Sequence, residues 1–206
     1  MAPNDTNVTV DSIESPEPKG SEEPDYSRRG QWLRAAVLGA SDGLVSTSSL
    51  MMGIGAVKGE LKAMVLTGFA GLVAGACSMA IGEFVSVCSQ LDVEVAQRKR
   101  EQRIEGGGEV DGDGLPSPVQ AAVASSLAFA VGAGVPLLAA GFISSHKVRL
   151  GVVAAAASVA LVVFGCVGAA LGRAPVGRSA VRVLVGGWMA MAATYGLVRL
   201  FGSTRL

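Results

Sequence analysis

Five stretches of this 206-residue chain run for more than twenty residues with almost no charge: about 33–57, 63–88, 119–143, 150–171 and 180–201. A helix rises ~1.5 Å per residue, so ~20 apolar residues cross the hydrocarbon core of a bilayer. Lipid offers no partner for backbone N–H and C=O groups, so a helix that satisfies its own is the structure such stretches can adopt there. Charged residues make up 17% of the chain and lie between these stretches, against about a quarter in a soluble domain. The pattern predicts an all-α integral membrane protein with five transmembrane helices in one domain, residues 31–206. Membrane lipid is then its first partner. The formal net charge is zero, and no nucleic-acid partner is expected.

The connections set the topology. Residues 1–30 are acidic and proline-bearing, with no periodic apolar face, and read as a disordered tail. The tail lacks the basic-then-apolar layout of a cleaved signal, so the first span is expected to serve as the insertion signal. Lys58 to Lys62 is a tight turn. Between spans two and three, Leu91 to Glu105 reads as a short charged cytosolic helix, in which Glu94 and Arg98 form an i,i+4 pair while Glu101 and Glu105 repel unless a cation lies between them. Gly106 to Gly114 is a linker; its Asp111-Gly-Asp113 fragment lacks the later ligands and the closing glutamate of a calcium loop. Lysine and arginine are in excess in the tail, in 98–103 and in 173–182, which by the positive-inside rule places the amino terminus in the cytosol. Pro136 is expected to kink span three. Small-residue steps, Ala130 with Gly134 and Gly165 with Ala169, suit close packing.

The chemistry lies in the first two spans. Asp42 sits deep in span one, where a carboxylate costs about 2.5–3.5 kcal/mol to insert, so it is expected on a polar path or beside a partner. Asp42, Ser46 and Ser49 are spaced four and three and share one helical face, as do Met79, Glu83 and Ser86 in span two. Gly39 and Gly43 beside Asp42 let another helix approach. Facing stripes of this kind line a narrow path with two carboxylates and a thioether. Carboxylates alone suit magnesium or calcium, and the softer sulfur shifts preference toward first-row transition metals such as ferrous iron or manganese. Buried carboxylates bind metal in exchange for protons, a route to proton antiport. The candidate metal ligands are therefore Asp42, Met79 and Glu83, with a divalent metal ion as the transported partner and no cofactor. Met51, Met52, Met64, Met189 and Met191 read as packing, and so do Cys77, Cys88 and Cys166. His146 reads as a solvated loop residue. No nucleophile–base set points to an enzyme.

The motifs Gly39-Ala-Ser-Asp42-Gly-Leu44 and Leu72-Val-Ala-Gly-Ala-Cys-Ser-Met79-Ala-Ile-Gly-Glu83 resemble those of the vacuolar iron transporter family, over most of residues 33–202. The resemblance extends to Val135-Pro136-Leu137-Leu138 and to Gly186-Gly187. It implies a five-span homodimer with the metal path at its interface, moving ferrous iron or manganese from cytosol to vacuole against protons. Asp42 and Met79 fall on the family's membrane metal-path positions. Full-length members carry a glutamate where Gly71 stands, and a long metal-collecting insertion where this chain has only 89–118. The chain thus looks like the shorter plant homologs, the nodulin-like subgroup. A competing reading, favoured by those two departures, is a structural or partner-binding membrane protein that does not transport.

Overall fold

A computed structural model describes residues 26–105, 117–172 and 175–203. The tail's acidic clusters and the Asp111–Asp113 fragment lie outside these residues. Five helices follow in order: α1 (Tyr26–Val57), α2 (Leu61–Glu105), α3 (Pro118–Gly141), α4 (His146–Leu171) and α5 (Val176–Ser203). Four of them, α2 to α5, are long and apolar enough to cross a membrane. α1 is not among these, because Ser41, Asp42, Ser46, Thr47, Ser48 and Ser49 dilute its apolar residues.

α1 is the central helix and packs against all four others. Its crossing with α3 is the tightest, and glycines are the cause. A Cβ on Gly39 would collide with the Ser125 carbonyl oxygen, one on Gly43 with the Phe129 carbonyl oxygen, and one on Gly132 with that of Ala40. Bare backbone on both helices brings the axes together, as small residues do where lipid supplies no hydrophobic drive. Two apolar clusters fill the interior. One joins Leu44, Ala157, Leu161 and Met191; the other joins Met51, Met64, Ala140 and Val153.

Several expectations change in the structure. Helix α1 starts at Tyr26, inside the stretch read as tail. α2 runs unbroken from Leu61 to Glu105, and the charged segment 91–105 is a solvated extension of the second apolar stretch, which agrees with the sequence. Its Glu94–Arg98 pair closes at 2.8 Å. Pro136 is buried inside the unbroken α3. Gly134 faces open space, so the Ala130–Gly134 step packs nothing within the chain, whereas Gly165 lies against Ala180 of α5. Met189 points outward, 68% exposed, because it lies on the outer face of α5. Cys77 is exposed on α2, while Cys88 and Cys166 are half-buried.

The largest departure is at the two turns that close the α1–α2 and α3–α4 hairpins. His146 is not in a loop: it opens α4 and is half-buried, and its ring lies against Gly59. Arg149, in the first turn of α4, is buried at 1% exposure. Its guanidinium donates to the carbonyls of Gly59 at 2.6 Å and Ile143 at 3.3 Å, and to Met64 Sδ at 3.3 Å, with His146 Nδ1 at 3.5 Å. Gly59 and Ile143 lie just beyond the C-terminal ends of α1 and α3, where each helix carries about half a negative charge. Two helix ends thus face the buried cation.

Candidate metal path

Asp42 is exposed within the chain although it sits on the central helix. α2 and α5 each pack on α1 but hardly on each other, which leaves a groove along α1 between them. Ser46, one turn on, donates its hydroxyl to Asp42 Oδ1 at 3.0 Å. That bond orients the carboxylate and leaves its remaining lone pairs free for a cation. Ser49, the third member of the stripe, turns inward and is buried, its hydroxyl without a hydrogen-bond partner among the described residues.

The register of α1 against α2 follows from three contacts. Leu50 lies on Gly71, Met51 on Gly68, and Met64 on Gly55. Continued along the antiparallel pair, that register puts Asp42 level with Ser78 and Met79. Glu83, four residues on, lies ~6 Å farther along the axis, toward the charged end of α2. Met79 and Glu83 are both half-buried, and Ser86 is exposed. The structure thus sets Asp42 and Met79 at one depth, with Glu83 a turn away. It does not gather a complete ligand shell: among the described residues, no three His, Cys, Asp or Glu side chains stand close enough to hold a metal ion.

At Gly71, a Cβ would meet only Leu50 Cδ1, at 2.5 Å. Leu50 is exposed and its Cδ1 is the far end of a flexible side chain, so a side chain at position 71 needs only a rotamer change of Leu50. Phe129 was not singled out in the sequence, where an aromatic in an apolar run looks like any lipid-facing residue. Here it is buried, its backbone against Gly43 of α1 and its ring against Gly75 of α2. Arg149 likewise carries no distinguishing mark in the sequence, where it stands at the end of a short polar connection.

A family model described as the VIT family matches residues 33–107 and 105–199. The chain is 68% identical to vacuolar iron transporter homolog 3 of Arabidopsis thaliana over 179 residues, 87% of this chain and 88% of that one. It is 62% identical to homolog 4 of the same plant over 203 residues, 98% of each chain. It is 66% identical to homolog 5 of Oryza sativa subsp. japonica over 180 residues, 87% of this chain and 85% of that one. With the matches covering nearly all of the helical region, including both polar motifs, this chain belongs to the VIT family.

Proposed function

We propose that the chain carries ferrous iron, and manganese as a second substrate, from the cytosol into the vacuole in exchange for protons. The observation that supports this most is the Asp42 carboxylate, oriented by Ser46 and open to a groove on the central helix, with the α1–α2 register extrapolating to Met79 at a similar depth. The names of the relatives, vacuolar iron transporter homologs, support the substrate and the membrane.

In this reading all five helices span the vacuolar membrane and the amino terminus is cytosolic. The less apolar α1 crosses because the other helices surround it. Glu83 meets the ion first, near the cytosolic mouth. Asp42 and Met79 hold it at mid-depth, oxygen and sulfur together favouring a first-row transition metal over magnesium or calcium. Protons reaching Asp42 from the far side displace the metal, since a ligand must be deprotonated to bind. One chain offers too few ligands for a complete shell, so two copies face their grooves together as a homodimer, each supplying one carboxylate and one thioether.

The test is rescue of yeast that lacks its own vacuolar iron carrier and is grown in excess iron. The parent chain restores growth; Asp42→Ala and Met79→Ala, expressed to the same level at the vacuole, do not. Equal rescue by the variants would refute the site assignment. Reconstituted vesicles holding an iron-sensitive dye test the exchange: the signal rises only with an acid interior, and a flat signal favours the non-transporting reading.

A further inference from the structure

We infer that Phe129 is a positioning residue for the metal path, setting the α1–α2 spacing at the depth of Asp42 and Met79. The inference rests on the proposed transport reading. Phe129 is 2% exposed and touches both helices at once. Its backbone lies on Gly43, where an added Cβ would stand 2.8 Å from the Phe129 carbonyl carbon. Its ring lies on Gly75, where an added Cβ would stand 2.5 Å from ring Cε1 and closer still to Cζ. Gly43 follows Asp42 in α1, and Gly75 is one helical turn before Met79 in α2. Phe129 of α3 therefore meets both helices that carry the two ligands, α1 through its backbone and α2 through its ring.

The consequence is geometric. The α3 backbone sits directly on Gly43 of α1, and the rigid ring sits directly on Gly75 of α2, so neither contact has slack. The position of α2 relative to α1 at this level is then set through α3, by a bare-backbone contact on one side and the ring on the other. A metal shell tolerates ligand displacements of only a few tenths of an ångström. A change of even one methyl group at either contact therefore alters how well oxygen and sulfur meet one ion. Groups that support ligands without touching the metal commonly change metal affinity 10–100-fold when altered. Sulfur is the ligand that favours iron over harder ions, so loss of its reach lowers selectivity as well.

The test is a pair of compensating substitutions in the full-length chain reconstituted into vesicles. Gly75→Ala adds a methyl group against the ring; Phe129→Leu removes ring atoms; the double variant does both. Spin labels at Trp32→Cys and Ile81→Cys, both on exposed faces of α1 and α2, report the spacing once Cys77, Cys88 and Cys166 are replaced by alanine. We expect Gly75→Ala to lengthen the label distance and raise the KM for Fe2+ roughly tenfold, with Vmax per folded protein unchanged. Its preference for Fe2+ over Mn2+ falls. The double variant returns distance and KM to near the parent values.

An unchanged distance in Gly75→Ala overturns the inference, and so does a double variant no better than Gly75→Ala. A fall in Vmax at constant KM also overturns it, because that is the mark of a general packing defect. If the parent carries no iron, the transport reading fails, and the label distances alone then decide whether Phe129 sets the spacing.

Discussion

A carboxylate and a serine four residues apart on one helix meet in almost any environment, and this is why the Asp42–Ser46 bond was legible in the sequence. Ser49 was not, because its direction depends on where α5 lies around α1. The same contrast separates two glycines. Gly43 faces backbone and Gly71 faces the flexible end of Leu50. Gly43→Ala therefore forces α1 and α3 apart and costs about 1–3 kcal/mol, the usual range for overpacking. Gly71→Ala costs less than ~1 kcal/mol, because Leu50 can rotate away. Thermal unfolding of the two variants in detergent checks the order; equal losses would mean that the α1–α3 crossing is looser than its glycines indicate. Ser46→Ala frees the Asp42 carboxylate without removing it, so metal affinity is expected to fall less than in Asp42→Ala, by about tenfold, read as KM in vesicles.

Among the elements, helix existence followed from hydropathy, and the charged extension of α2 was legible too, because it keeps the backbone periodicity of the apolar part while only the solvent changes along it. Arg149 was hidden because its partners are carbonyls at the ends of two other helices, and carbonyls leave no trace in a sequence. Once folded, that guanidinium ties the α1–α2 turn to the α3–α4 turn. Arg149→Met removes the bonds to the part-buried carbonyls of Gly59 and Ile143, at about 0.5–1.5 kcal/mol for each. The expected result is a variant with a clearly lowered unfolding temperature. Arg149→Lys falls between it and the parent, because an ammonium keeps the charge but lacks the fork that reaches both turns. If Arg149→Met unfolds with the parent, the network contributes nothing net to stability.

For the whole molecule, the charge distribution gave an orientation and the structure gives the positions that test it. Lys58, in the α1–α2 turn, and Lys99, on the charged end of α2, are both exposed and stand at opposite ends of the bundle. In sealed vacuoles, a membrane-impermeant maleimide added outside is expected to label Lys99→Cys, and Lys58→Cys only after permeabilisation, in a background without native cysteines. The reverse pattern would invert the proposed direction of transport. The outward-facing Phe69, Ile81, Trp188 and Phe201 suit a lipid or partner-subunit surface. A single cross-linked species of twice the chain mass, lost when the groove is blocked by a bulky label on Leu38→Cys, is the expected sign of the homodimer.

The guanidinium knot also divides the bundle mechanically. At that pole, two helix ends are laced to one side chain, while at the other α2 projects past its neighbours, with the Glu94–Arg98 ion pair along its shaft. A rod clamped at one tip can swing only about that tip. Any widening that admits an ion thus takes place at the unlaced pole and fades toward the knot, and amide hydrogen exchange should be slowest across 55–64 and 143–150.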